Sequence, residues 1–174
     1  MQTVIRGFPT ITDRELEKIA RSNPAYKIER DDDGSLVVSP TNTDGHYKET
    51  EALRQLLVYE GSAGGRAGGS SGGFTSPRGG VRSPDASWLS PESISKLTEE
   101  EKRQTYVRVT PDVTIEIASP SDDWNDVLAK AKQFLADGAH YSVAINPTTR
   151  EVAEFGTRPA GLALNFEAIM DAKL

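Results

Sequence analysis

Residues Pro111 to Asp122 read PDVTIEIASPSD, and the fold can be predicted outward from this stretch. The β-branched residues from Val113 onward are typical of a buried strand, and the Ser-Pro-Ser-Asp sequence after them ends the strand and begins a helix. Side chains alternate between the two faces of a strand, so Glu116 lies on the opposite face from Ile115. The neighbours of Glu116 on its own face are small or polar, which leaves room for a binding partner.

The composition limits the classes of function. The chain has 174 residues with 36% hydrophobic content, which predicts a single domain over residues 1–174. Its net charge of −6 means that any polyanion has to be bound locally. The absence of cysteine excludes disulfides, thiolate zinc sites and cysteine nucleophiles. No segment resembles a signal peptide or reaches the roughly 20 apolar residues of a membrane span, so we expect a soluble, cytoplasmic protein.

The pattern along the chain predicts a mixed α/β fold in which helices flank a β-sheet. Thr12 and Glu15 fit a capping box at the start of the first helix. Ser121 is the predicted N-cap of a later helix, and Gly138 is its predicted C-terminal cap. The predicted helices span residues 12–22, 44–59, 121–137 and 165–172, a polar helix or two short turns lie within 90–104, and the predicted strands are 26–30, 35–39, 83–89, 113–119, 141–146 and 151–155.

Residues 60–80 read EGSAGGRAGGSSGGFTSPRGG. This composition predicts a long surface loop with one short strand inside it rather than a packed element. An interdomain linker is less favoured, because the residues before it are too few to bury a core alone. A phosphate-binding loop also fits less well, since no Lys-Ser or Lys-Thr follows the glycines and no apolar strand precedes them.

Two interpretations of Glu116 are open. On the solvent-facing side of an edge strand it needs no partner, which is the commoner situation for a lone glutamate in a strand. The helix that follows needs an apolar surface to cover, and this favours a central strand, where an unpaired carboxylate is costly. A divalent cation relieves that cost, and a set of oxygen ligands favours Mg²⁺ or Mn²⁺.

A cation needs a second carboxylate near Glu116. Asp112 lies about 13 Å away along an extended strand, too far to share an ion, and is expected to be a structural turn residue. Asp85 can lie opposite Glu116, because consecutive strands are usually adjacent. Lys130 and Lys132 flank the apolar stripe of the following helix on opposite sides, so the spacing alone allows either lysine to lean over the sheet.

Several segments together resemble the Uma-two family of restriction-endonuclease-like proteins. They are SSGGFTSPRGGVRSPDASWL, PDVTIEIASPSD, the spacing Lys130-Phe134-Gly138, and YSVAINP, while NPAYKIERDDDGSLVVSPTNTDGH is similar to the family's hairpin. The likeness extends from about Ile11 to Phe155. It implies the fold of the PD-(D/E)xK nucleases, a mixed β-sheet flanked by helices with an acidic metal site at its centre.

Carried over position by position, the resemblance implies that Asp85 and Glu116 hold the metal and that Lys130, rather than Lys132, is the catalytic lysine. The position two residues after Glu116, where the wider superfamily has its lysine, is Ala118. The lysine is therefore expected on the following helix.

The resemblance also implies further residues around the site. Glu29 matches the hairpin glutamate of the family, which either approaches the metal or makes a structural salt bridge. His46 matches a histidine at the start of the second helix, for which capping, packing and substrate contact are all open. His140 has no match and is expected at the surface.

We expect an Mg²⁺- or Mn²⁺-dependent endonuclease that hydrolyses DNA phosphodiester bonds, and the resemblance further implies a homodimer. The alternative is a catalytically inactive nucleic-acid- or protein-binding module on the same fold, which the acidic net charge and Ala118 support. A glycoside hydrolase using Asp85 and Glu116 is less favoured, because the chain is short for a sugar cleft and has only two tryptophans. The candidate phosphate contacts, for which solubilising loop residues are the alternative, are Arg66, Arg78 and Arg82.

Overall fold

The computed structural model describes residues 2–7, 9, 11–41 and 43–173. In this part of the chain the helices are α1 Asp13–Ser22, α2 Thr43–Ala63, α3 Pro91–Ser95, α4 Trp124–Ala136 and α5 Phe166–Asp171, with a 3₁₀ turn at Glu101–Arg103. The strands are β1 Thr3–Ile5, β2 Tyr26–Arg30, β3 Leu36–Pro40, β4 Arg66–Gly69, β5 Gly73–Thr75, β6 Val81–Arg82, β7 Ala86–Leu89, β8 Tyr106–Val107, β9 Val113–Ile117, β10 Tyr141–Asn146 and β11 Glu151–Gly156.

One mixed sheet has the strand order β11-β10-β9-β7-β4 in the described residues. Strand β9 pairs in parallel with β10 and antiparallel with β7. The strand that carries Glu116 is therefore central, as predicted, and the edge-strand interpretation is wrong. Residues of α2 and α5 pack with Val113 and Ile115 on one face. Helix α4 covers the opposite face and buries Ala131 and Phe134.

The second mixed sheet has the order β1-β3-β2-β6-β5-β8 across the described strands. It contains the predicted hairpin of β2 and β3, and Ile28 of β2 packs with Leu16 of α1 in a separate small core. A single sheet was expected, but the chain crosses between two sheets at residues 83–85. Pro84 has no N–H to donate to a ladder, so the predicted strand 83–89 begins only at Ala86.

The helix ends follow local hydrogen bonding. In α1 the side chain of Thr12 accepts a bond from the Glu15 amide, and the Glu15 carboxylate accepts one from the Thr12 amide, which confirms the capping box. Helix α4 is capped by Asp123, whose side chain accepts a bond from the Asn125 amide at 2.8 Å. The predicted cap, Ser121, is wrong because residues 119–122 close a turn of their own before the helix begins.

The other predicted helix limits hold with small changes. Gly138 ends α4 with a φ of 114°, which glycine adopts readily, so the predicted C-terminal cap is confirmed. Helix α2 continues to Ala63, four residues beyond the predicted end at Tyr59. Residues 90–104 form a short helix and a 3₁₀ turn, which corresponds to the two short turns considered. No helix within the described residues combines the length and the apolar composition needed to cross a bilayer.

The glycine-rich segment contributes strands to both sheets. Strand β4 pairs antiparallel with β7, and β5 pairs with β6 and β8. The prediction of a long loop with one short strand is therefore wrong. Glycine has no side chain, and this allows the backbone of the segment to lie close to neighbouring strands and pair with them. Gly65 has a φ of 82°, and a Cβ atom there would lie 2.2 Å from the carbonyl oxygen of Leu89 and 2.9 Å from Nε1 of Trp88.

We expect Gly65→Ala to lower the free energy of unfolding by about 2 kcal/mol or more, because the methyl group meets backbone at a positive φ. Urea denaturation measures this effect. Gly61→Ala is the matched control, since Gly61 lies in α2 and a Cβ atom added there would have nothing within 4 Å. The control should be neutral or stabilising by up to about 1 kcal/mol. Equal effects of the two substitutions would contradict the close approach.

Candidate active site

The pairing of β7 with β9 brings Asp85 next to Glu116. Ala86 pairs with Ile115, so extending the register by one residue sets Asp85 opposite Glu116. The amide of Asp85 donates to the carbonyl oxygen of Ile115 at 3.0 Å, and Oδ2 of Asp85 accepts a bond from the amide of Ile117 at 2.7 Å. The predicted neighbouring strands are confirmed, and the backbone of β9 orients the Asp85 carboxylate.

Helix α4 brings Lys130 over these strands. Its Nζ atom lies 3.1 Å from Oε2 of Glu116 and 3.0 Å from Oε1 of Glu29. It also donates to the carbonyl oxygen of Ser83 at 3.2 Å. Lys132 points elsewhere, with its Nζ atom 5.4 Å from the ring centroid of Phe155. Periodicity left both lysines possible. The structure shows that Lys130 is the one that contacts Glu116 and Glu29.

Strand β2 adds two further charged residues. Ile28 points into the small core, so alternation directs Lys27 and Glu29 to the opposite face. Oε1 of Glu29 accepts a bond from the amide of Ser83 at 2.6 Å, and Nζ of Lys27 lies 2.8 Å from Oδ1 of Asp85. Sequence reasoning singled out Glu29 but missed Lys27. The signal was present, because residues two apart on a strand share a face.

These five residues, Lys27, Glu29, Asp85, Glu116 and Lys130, are called the charged cluster below. The cluster lies in a cleft of about 840 Å³. The three acidic residues are between 4% and 8% exposed, so their charges are compensated mainly by protein groups rather than by water.

The electrostatics distinguish Glu116 from the other two acids. Burial raises the pKa of Glu116 to about 8; Lys130 opposes this shift, whereas Asp85 adds to it. Burial also opposes ionisation of Asp85 and Glu29, but Lys27 and Lys130 outweigh it and lower the pKa of both carboxyls. The facing carboxylates in turn outweigh the burial of the two ammonium groups and raise the pKa of each lysine.

One carboxylate oxygen of the cluster remains available. Oε1 of Glu116 is buried and has no hydrogen-bond partner among the described residues, which is uncommon for a buried acceptor. With the Asp85 carboxylate beside it, this oxygen is of the kind that Mg²⁺ and Mn²⁺ prefer. The donor set fits such an ion. The described residues contain no group of three or more His, Asp or Glu side chains arranged to hold a metal, so water or substrate would have to complete the coordination.

Two more residues border the cleft. His46 is exposed on α2, and its ring meets that of Tyr47 edge-on at 5.8 Å between centroids. Glu49, three residues further on, accepts a bond from the Ser70 hydroxyl at 2.6 Å. Burial and the neighbouring Asp85 raise the pKa of Glu49. Sequence reasoning missed Glu49, and its spacing from His46 on one helix face was the only available signal.

Asp112 and His140 lie away from the cluster. The Asp112 carboxylate accepts bonds from the Ser90 amide at 2.7 Å and the Ser93 hydroxyl at 3.1 Å, so it holds the start of α3. This matches the structural role expected of it. The side chain of His140 is 71% exposed, in agreement with its expected surface position.

The three arginines named as phosphate contacts differ in environment. Arg66 is 76% exposed in its side chain and pairs with Glu60 at 3.1 Å. Arg78 bridges Asp32 and Asp137. Arg82 is 9% exposed in its side chain, pairs with the same two aspartates and lies along the cleft. Contact with a phosphate stays a prediction for all three.

The mixed α/β architecture is that of the restriction-endonuclease-like class, as predicted. The chain belongs to the Uma2 (Uma-two) family, whose model carries the description "Putative restriction endonuclease" and matches residues 13–165. A crystal structure titled as a putative nuclease belonging to DUF820 from Anabaena variabilis is similar, with a TM-score of 0.64 and 19% identity over 82% of this chain and 89% of that chain. At this identity the likeness supports the fold alone. No curated protein matches the chain.

We expect Glu116→Gln to change how stability depends on pH. The folded carboxyl has a pKa of about 8 against an ordinary 4.5, so its stabilising contribution is complete below about pH 4.5 and is lost as the pH rises towards 8. The free energy of unfolding of the variant, relative to wild type, should rise by on the order of 1 kcal/mol per pH unit across this interval.

Urea denaturation at several pH values measures this difference. Glu99→Gln, at a glutamate with a 79% exposed side chain, removes a carboxylate outside the cluster and is the control. A slope for Glu116→Gln no steeper than that of the control would contradict the raised pKa.

Proposed function

We propose that this protein is a metal-dependent endonuclease that hydrolyses DNA phosphodiester bonds, with Mg²⁺ or Mn²⁺ held by Asp85 and Glu116. The observation that carries the proposal is the buried Oε1 of Glu116, which has no hydrogen-bond partner in the described part of the chain and lies beside the Asp85 carboxylate, with the ammonium of Lys130 close by. Membership of the Uma2 family supports the same class of reaction.

Lys130 and Glu29 have distinct parts in this reaction beside the two metal ligands. A bound cation supplies charge neutralisation on the scissile phosphate and a more acidic water. Lys130 orients the attacking water and a phosphate oxygen with the donor that a cation on Glu116 would release, because its three donors otherwise meet Glu29, Glu116 and the carbonyl oxygen of Ser83. Glu29 acts as a positioning residue, since its Oε1 binds both Lys130 and the amide of Ser83.

The DNA backbone has to be held by local positive charge, since the net charge of the chain is −6. Arg66 is the most exposed of the three candidate phosphate contacts. Arg82 is better suited to shaping the cleft, because aspartates engage its guanidinium. We also propose a homodimer in which each subunit cuts one strand, on the basis of the family resemblance.

We expect Asp85→Asn and Lys130→Met each to lower the rate of DNA cleavage by about 100-fold or more, through loss of a metal ligand or of the orienting ammonium. The assay is nicking and linearisation of supercoiled plasmid in Mg²⁺ or Mn²⁺. Lys132→Met removes a lysine from the same helix away from the cluster and should cleave at the wild-type rate. Undiminished cleavage by Asp85→Asn would refute the proposed site.

A catalytically inactive binding module is the alternative, and the observation compatible with it is the pairing of both lysines with the three acids within the cluster. Calorimetric titration with Mn²⁺ separates the two. Heat that disappears in Asp85→Asn supports the nuclease, whereas no heat from either protein favours the binding module.

A further inference from the structure

Lys27 pairs with Oδ1 of Asp85, one of the two oxygens through which this carboxylate could bind a cation. Oδ2 of Asp85 is bound to the amide of Ile117, and Nζ of Lys27 lies 2.8 Å from Oδ1. An ammonium and a divalent cation repel each other strongly at such distances in a buried site. Lys27 and a cation would therefore compete for Oδ1, and cation binding would favour release of this lysine.

The two lysines of the cluster differ in how firmly they are held. Lys130 makes three contacts, to Glu29, Glu116 and the carbonyl oxygen of Ser83. Lys27 has a single ion pair within 4 Å, to Asp85, among the described residues. Its side chain is 21% exposed and borders the cleft on a flexible four-carbon stem. It can thus leave Asp85 without unfolding its surroundings.

Once displaced, the Lys27 ammonium needs another anion. It lies along the cleft that substrate would enter, and a phosphodiester oxygen is a strong acceptor for it. The charge balance points the same way, because the cluster contains two ammonium groups and three carboxyls before any ligand arrives. Adding a dication while Lys27 stays paired with Asp85 would leave the cluster with excess positive charge, which a substrate phosphate neutralises.

We propose that Lys27 is an internal counter-ion that competes with the divalent cation for Asp85 and moves to a substrate phosphate, so that cation and DNA bind cooperatively. This inference rests on the proposed nuclease function. It adds an exchange of ion pairs at Lys27 that depends on the cation.

Calorimetric titration with Mn²⁺ tests the competition. For Lys27→Met we expect Mn²⁺ to bind about 5- to 50-fold more tightly than to wild type, because the competing charge is gone. Lys27→Arg should stay near the wild-type affinity, since it keeps the charge. Lys132→Met, which removes the same charge away from the cluster, should also leave the affinity unchanged. Unchanged or weaker Mn²⁺ binding by Lys27→Met overturns the inference.

The transfer to phosphate is tested by repeating the titration with a saturating phosphorothioate-substituted DNA duplex, which slows cleavage. The duplex should tighten Mn²⁺ binding to wild type by about fivefold or more and change it little in Lys27→Met. Equal tightening in both proteins overturns the transfer. Lys27→Gln, which keeps a polar group at this position, should repeat the behaviour of Lys27→Met, and circular dichroism checks that each variant is folded.

The titrations distinguish failure of the metal site from failure of the counter-ion role of Lys27. If wild type binds no Mn²⁺, or if Asp85→Asn binds it as well as wild type, both the metal site and the counter-ion role are refuted. If Asp85→Asn loses binding while Lys27→Met matches wild type, the metal site stands and the counter-ion role alone is refuted.

Discussion

The rest of the site depends on one constraint, which is that the Glu116 carboxylate is buried in the middle of a sheet. A buried carboxyl without compensation is costly, and the chain compensates it through an ammonium from the helix that covers that face. The position of α4 is therefore as important to the site as the strand itself. A shift of about one helical turn would carry Lys130 some 5 Å away and leave Glu116 without its cation.

Helix α4 is held at its C-terminal end by a second group of charges. Asp137, directly after the helix, has a 3% exposed side chain and accepts bonds from both Arg78 and Arg82. The same arginines bind Asp32 in the turn between β2 and β3. This network ties the helix that carries Lys130 to the hairpin that carries Lys27 and Glu29, so Arg78 and Arg82 support the geometry of the cluster.

The charged cluster forms where the chain passes from one sheet to the other. Between β6 and β7, Ser83 gives its amide to Glu29 and its carbonyl oxygen to Lys130, and Asp85 follows two residues later. Pro84 interrupts pairing between these two positions. The crossover therefore brings acids from two sheets and a lysine from a helix into contact, and it leaves the cleft open beside them.

The sequence by itself determined the local features: the strand at Val113–Ile117, the face on which Glu116 lies, the hairpin, and most helix limits. These follow from periodicity and from capping chemistry, which act over a few residues. Tertiary structure alone decided that there are two sheets and that Lys27 pairs with Asp85. It also placed Lys130 against the acids, which the family resemblance had implied but periodicity had left open. Lys27 and Asp85 are 58 positions apart, and local periodicity contains no information about which distant strands pair or which charges then meet.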